Sequence, residues 1–234
     1  MPTQRRSSDE SQRQAAPARA CCYLLLHKPY NVLSAFSDVE GRPTLAEYVP
    51  VAGVEAAGRL DQDSEGLILL TDDGALAHRI THPRHKLPKT YLVQVEGHPD
   101  GQAIETLRSG VMVKGEMTAP AQAELLTDEP DLPAGTPPLY HRPDVPTAWL
   151  RLVLREGRKR QIRHMTAAVG HPTLRLVRVG IGPLVLAGLQ PGEWRHLTLE
   201  ELAALRRDLG MRATEAPGAP AGAERQERRN KTTE

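Results

Sequence analysis

Aromatic residues are scarce, at 3% of a 234-residue chain with a single phenylalanine. Val, Leu, Ile and Ala must therefore fill the core, and a hydrophobic content of 39% suffices for one good core or two small ones sharing a sheet. Only two cysteines occur, Cys21 and Cys22, side by side; they give no disulfide framework and suit a reducing compartment. No apolar run approaches the length of a membrane span. The most apolar stretches, Cys22 to Leu26 and Leu67 to Leu70, are strand-sized. The N-terminal "MPTQRRSSDESQRQAAPARA" lacks an apolar h-region and is not a secretory signal. There is also no Walker loop and no dinucleotide-binding glycine pattern. The expectation is a soluble cytoplasmic protein.

Net charge is nearly absent too, at +1, but the charges are unevenly spread. Arg151, Arg155, Arg158, Lys159, Arg160, Arg163, Arg175 and Arg178 face one acid, Glu156, between residues 151 and 178. The counterweight lies elsewhere, at Glu116, Glu124, Asp128, Glu129, Asp131 and Asp144 among others. Such asymmetry points to a polyanion-facing surface, with a solvated basic face as the alternative.

Residues 1–20 and 213–234 are polar and poor in core-forming residues, which reads as two disordered tails around one folded domain, 21–212. Strand patterns fall at Tyr23–His27, Val54–Ala57, Leu67–Thr71, Thr90–Glu96, Val111–Val113, Ala121–Leu126, Ala148–Arg155, Leu174–Gly180 and Trp194–Thr198. Helices are expected at Thr44–Val49, Asp73–Ile80, Gly101–Arg108, Lys159–Val169 and Leu199–Leu209, the last opened by a Thr198–Glu201 capping box. Strands dominate without a regular βαβ alternation. The fold class is therefore α+β, a mixed and largely antiparallel sheet with flanking helices. Asp128 to Pro146, rich in Pro and acid, reads as a long surface loop.

One segment asks for chemistry. "GRLDQDSEGLILLTDDG", residues 58–74, sets Asp61, Asp63 and Glu65 on alternate positions before an apolar run. Counted from Asp61, the acids and Gly66 match an EF-hand calcium loop. The context does not: "VPVAGVEAAG" carries Pro50, Gly53 and Gly58 where a helix must enter, "LILLT" is a strand pattern where one must leave, and Asp72 stands where a bidentate Glu belongs. A solvated turn is the default for the segment taken alone. His78, His82 and His85 could suggest zinc, but no cysteine is near and Pro83 interrupts the helix, so phosphate-facing polar residues fit better. His27 reads as strand-end polarity. No metal is expected.

The remaining motifs change the balance. Residues 58–74 closely resemble the catalytic motif of pseudouridine synthases of the RsuA branch. "KTYLVQVEG", residues 89–97, is similar to that family's tyrosine motif, and "EGRKRQIRHMTAAVGHPTLRLVRVGIGPL", residues 156–184, to its arginine-bearing motif. Upstream, "YLLLHKPYNVLSAFSDVEGRPTL" resembles its opening Lys-Pro strand and loop. The likeness runs from about Tyr23 to Thr198, in family order. Many members of the branch carry an N-terminal S4 RNA-binding domain of roughly fifty or more residues; the polar stretch before Tyr23 is too short for one, so none is expected.

The resemblance implies a pseudouridine synthase fold, with two subdomains around a catalytic cleft, acting without a cofactor on 23S ribosomal RNA. It makes Asp61 the catalytic aspartate, either adding to the sugar or taking a C2′ proton. It pairs Arg163 with that aspartate and places Tyr91 against the target base. A base inside an RNA helix must be flipped out to be reached, and Arg59 matches the family residue that fills the vacated stack. Arg158, Lys159 and Arg160 are read as phosphate contacts, with Arg84 and Lys86 on the same RNA-facing cleft edge. Asp63 and Glu65 are left as turn residues without chemistry. The implied partner is a local rRNA stem-loop, and the enzyme is expected to be a monomer. Two competitors remain at this point: a non-catalytic RNA-binding or ribosome-assembly protein on the same fold, and a nucleoside hydrolase, which would call for a metal and a denser carboxylate cluster.

Overall fold

The computed structural model describes residues 20–82, 84–85, 87–134 and 144–211. Its elements run β1 (Tyr23–Lys28), a 3-10 turn (Leu45–Glu47), β2 (Glu55–Ala56), β3 (Glu65–Thr71), α1 (Gly74–Thr81), β4 (Lys89–Glu96), α2 (Gly101–Ser109), β5 (Met112–Val113) and β6 (Glu116–Met117). There follow β7 (Gln122–Leu125), β8 (Thr147–Leu154), α3 (Gln161–Ala168), β9 (Thr173–Ile181), β10 (Leu184–Val185), β11 (Trp194–His196) and α4 (Leu199–Asp208). The two tails and residues 135–143 of the long acidic loop lie outside the described residues.

β1 and β3 are buried on both faces, and period-2 alternation sends their leucines to two different cores. Tyr23, Leu25, Leu67 and Leu69 pack with Leu76 and Ile80 of α1 and with Leu202 and Leu205 of α4. Leu24, Leu26, Ile68 and Leu70 pack on the other side with Val32, Leu45, Val49 and Val54. Each fully buried leucine contributes about 2 kcal/mol. A further core joins β4, β8 and β9 to α2 and α3 through Val93, Leu150, Leu152, Leu176, Leu107 and Met165.

One sheet carries these cores, in the order β11-β1-β3-β9-β4-β8-β7, with β10 added to β9 and β2 to β3. Its pairings are antiparallel except β3 with β9, which is parallel and two residue pairs long, Glu65↔Val177 and Gly66↔Arg178. The two expected subdomains are thus two halves of a single sheet joined at this seam. Gly66 makes the seam possible. It sits at φ +105°, and a Cβ there would fall 2.3 Å from the carbonyl oxygen of Arg178.

Helix ends follow the sequence signals. Asp73 and Asp100 cap α1 and α2 by accepting from Leu76 N (3.0 Å) and Ala103 N (2.8 Å). Thr198 and Glu201 form the expected capping box on α4. Elsewhere the structure corrects the sequence reading. The expected helix at Thr44–Val49 is only the 3-10 turn, boxed by Thr44 and Glu47 and closed in between Pro43 and Pro50. α3 starts at Gln161, not Lys159, because Arg160 holds a left-handed conformation at φ 56°. β3 begins two residues earlier than its apolar run, so Glu65 is a strand residue and not part of the turn.

Candidate active site

The loop from Gly58 to Ser64 hangs between β2 and β3 and is pinned at several points. Leu60 N donates to Ser34 Oγ (3.0 Å), and Ser34 Oγ donates back to Leu60 O (2.8 Å), all of it buried. Ser64 N closes a turn onto Asp61 O (3.1 Å), and Asn31 N donates to Gln62 O (2.9 Å). Beneath them lies Lys28, fully buried at the end of β1. Its ammonium donates to Pro29 O (2.8 Å), Val32 O (2.7 Å) and Gln62 O (3.3 Å), matching three protons to three carbonyls. Burial pushes its pKa down to about 7, against the opposing pull of Glu65, Asp63 and Asp61. Sequence reasoning placed Lys28 in a motif but gave it no role; only the fold shows that it holds the loop.

The three acids have different fates. Glu65 is buried and forms two 2.9 Å bonds with Arg175 Nε and Nη2, while the same Nη2 donates to Pro133 O (2.8 Å). Asp63 accepts two 2.9 Å bonds from Arg160. Arg163 Nε lies 3.2 Å from Asp63 Oδ2, and Arg163 Nη2 donates to Asp63 O (2.6 Å). Burial alone would raise the Asp63 carboxyl, but the Arg160 bonds and the Arg163 charge hold it below the usual carboxylate range. Both acids therefore have a structural task that the reading as plain turn residues missed.

Asp61 differs from both. Half-buried in the loop, its carboxylate forms no hydrogen bond or ion pair among the described residues. The charges of Lys28, Arg160 and Arg163 all act on it nevertheless. The expected direct pair between Arg163 and Asp61 is thus corrected. Arg163 is bonded to the neighbouring Asp63, because α3 brings Arg160 and Arg163 together onto that side chain. What reaches Asp61 from Arg163 is its field. Burial lowers the Arg163 pKa, with Asp63 opposing it.

Tyr91 stands on β4 directly across from Leu152 on β8 and Arg178 on β9. The ladder to β9 slips by one residue between Thr90 and Tyr91, a bulge of the kind that re-aims a side chain. Its ring packs against the β4–β8–β9 core and remains half-buried. Arg178 joins this neighbourhood to the loop: its Nε donates to Leu67 O (2.7 Å) and its Nη1 to Arg59 O (3.5 Å).

The expected RNA contacts divide. Arg59, Arg84 and Lys159 are exposed; Lys86 lies outside the described residues. Arg160 is tied to Asp63. Arg158 pairs with Glu116 (3.1 Å) and donates to Met117 O (2.8 Å), which fastens the β5–β6 hairpin beside α3. His78, His82 and His85 cluster at the end of α1, His78 tilted against His82 and His82 edge-on to His85, with ring centroids 5.1 and 6.0 Å apart. His27, read as strand-end polarity, is fully buried, and its Nδ1 lies 2.8 Å from Leu189 O. Two cavities, of about 440 and 590 Å³, lie along Arg108 and Arg151 and between Leu92 and Leu189; neither is lined by Asp61, Tyr91 or Arg163.

Residues 22–168 match the family described as RNA pseudouridylate synthase. The chain is 58% identical over 174 residues to "Ribosomal large subunit pseudouridine synthase E" of Xanthomonas campestris pv. campestris, covering 74% of this chain and 93% of that protein. It is 48% identical over 195 residues to the protein of the same name from Vibrio vulnificus, covering 83% of each. A crystal structure titled as a pseudouridylate synthase superposes with a TM-score of 0.67 at 33% identity, over 80% of this chain and 74% of the other.

Proposed function

Because the chain belongs to the RNA pseudouridine synthase family, we propose that it isomerises a uridine of large-subunit, 23S ribosomal RNA to pseudouridine, with Asp61 as the carboxylate that acts on the sugar. The observation that carries the assignment is the division of the three acids. Asp63 and Glu65 are spent on Arg160, Arg163 and Arg175, whereas Asp61 has no bonded partner among the described residues while Lys28, Arg160 and Arg163 are close enough to feel its charge. A carboxylate that must add to C1′ or take a C2′ proton needs to be charged and unencumbered, and Asp61 fits that need. The substrate class follows from the relatives named as ribosomal large subunit enzymes.

The chemistry balances without redox change or energy input. The C1′–N1 bond breaks with its electron pair remaining on the uracil, and Asp61 either bonds to C1′ or takes the C2′ proton. The ring then turns and C5 bonds to C1′, as the Asp61–C1′ bond breaks on the first route or as C2′ regains its proton on the second; the C5 proton leaves and N1 takes one up. Tyr91, half-buried on β4 across β9 from the strand that the loop enters, is on this reading the ring that lies against the base. Arg59, exposed two residues before Asp61, is placed to fill the stack that the flipped base vacates, at a site where unstacking costs a few kcal/mol. The exposed side chains of Arg84 and Lys159 can meet phosphates, and Lys86 stands two residues after Arg84 in sequence. Arg158 and Arg160 reach RNA only from within their ion pairs. We read the substrate as a local stem-loop recognised by shape, since side chains do not read an A-form major groove. The enzyme acts in the cytoplasm as a monomer on this reading; among the described residues no helix is long and apolar enough to cross a membrane.

The experiment is to map pseudouridine in 23S RNA from cells lacking the gene. Loss of a defined site, restored by the wild-type gene and not by Asp61→Asn, supports the reading. An unchanged pseudouridine pattern contradicts it.

A further inference from the structure

Arg178 has no obvious reason to be charged. It is 2% exposed and forms no ion pair among the described residues. Its Nε and Nη1 are spent on the carbonyls of Leu67 and Arg59, and its buried Nη2 has no partner. The groups around it add to the difficulty. Lys28 feels its charge, and Lys89 is held below the ordinary lysine range first by burial and then by Arg178. Burying an uncompensated guanidinium among other cations costs stability, and a neutral side chain could fill the same strand position.

The location is what gives the charge a use. Arg178 is the cross-strand neighbour of Tyr91, and its backbone packs on Gly66, where the loop of Asp61 enters β3. Its guanidinium reaches the carbonyl of Arg59, two residues before Asp61. It therefore lies between the ring proposed to meet the base and the loop proposed to meet the sugar.

We propose that Arg178 is a fixed positive charge behind the active site that stabilises the uracil anion formed when the C1′–N1 bond breaks. The inference rests on the proposed isomerisation, in which the electron pair of that bond stays on the uracil, spread over N1 and its carbonyl oxygens. A cation already buried and braced needs no reorganisation as that charge appears, and low polarizability of the surroundings strengthens its effect. Arg178 acts through the field and through its hold on the loop without touching the sugar. It is thus distinct from Asp61, and also from Arg163, whose charge is engaged by Asp63.

The test compares two transcripts of the substrate RNA, one containing uridine and the other 5-fluorouridine, in single-turnover reactions with saturating enzyme. Fluorine withdraws electron density, so the fluorinated base departs as a more stable anion and depends less on an external cation. Formation of C5-linked nucleoside is followed in nuclease digests. Arg178→Gln is expected to slow the uridine reaction by about a hundredfold and the fluorinated one by only about tenfold, with RNA affinity within about twofold of wild type. Arg178→Lys, which keeps the charge, is expected to leave the ratio of the two rates unchanged. Equal slowing of both RNAs by Arg178→Gln overturns the proposal, since a mere brace for the loop affects both alike. If Arg178→Gln does not fold, Arg178→Met, which keeps the length of the apolar stem, is read in its place: a selective loss on the uridine transcript supports the proposal and equal slowing of both overturns it. A wild-type enzyme inactive on the uridine transcript overturns the proposed function and this inference with it.

Discussion

Three carboxylates stand on alternate residues, two in the loop and the third at the start of β3, and their partners separate them. Glu65 faces Arg175, 110 residues away in sequence, and both are buried. Glu65→Gln leaves Arg175 without its counter-charge and is expected to lower stability by about 3 kcal/mol, read as a shift of the urea midpoint at constant slope; an unchanged midpoint contradicts the assignment. Asp61 stands out in the sequence because a local motif carries it. The bonds of Asp63 and Glu65 do not, because nothing in "DQDSE" shows which distant arginine the fold will deliver. Lys28 was equally hidden, since a lysine ending an apolar strand reads as its solvated edge. Its folded pKa of about 7 lies below the unfolded value of about 10.5, so across that window the unfolded chain holds the extra proton. Stability therefore rises with pH from about 7 towards 10.5, as the buried charge is given up. Lys28→Met lacks the group. Wild type is expected to gain on that variant between pH about 7 and about 9.5 in denaturant melts, whereas a constant difference contradicts the buried ammonium.

Among the elements, those with strong local signals were placed well from sequence. β1, β4, β8 and α4 carry an apolar run, an alternation or a capping box that names them. The misses have local causes. Arg160 takes a left-handed turn that only glycine or asparagine would have advertised, and β10 is two residues long, too short for any period. The parallel seam between β3 and β9 was also invisible, since strand order is a long-range property. Gly66 is its most exacting residue, and Gly66→Ala would drive a Cβ into the Arg178 backbone. The expected cost is on the order of 3 kcal/mol or more, with activity falling further than stability because both Arg178 and the Asp61 loop shift. Circular dichroism melts alongside single-turnover rates check this; a stable, fully active Gly66→Ala enzyme rules it out.

For the whole molecule, two half-sheets with their own cores meet along a seam, and the loop of Asp61 enters the sheet there. On the proposed reading this is the side that faces the RNA, without any great excess of net charge. Affinity then depends on a few exposed cations, and Lys159→Ala is expected to weaken RNA binding and reduce the salt slope of log K by about 1 while leaving the saturated rate intact. An unaltered slope removes Lys159 from the interface. The proposed isomerisation turns on one carboxylate, and release of tritium from C5-tritiated 23S RNA tests it most directly. Wild type is expected to release the label from its target uridine, and Asp61→Asn to release none while binding the RNA with wild-type affinity. Release by Asp61→Asn at the wild-type rate would contradict the central claim.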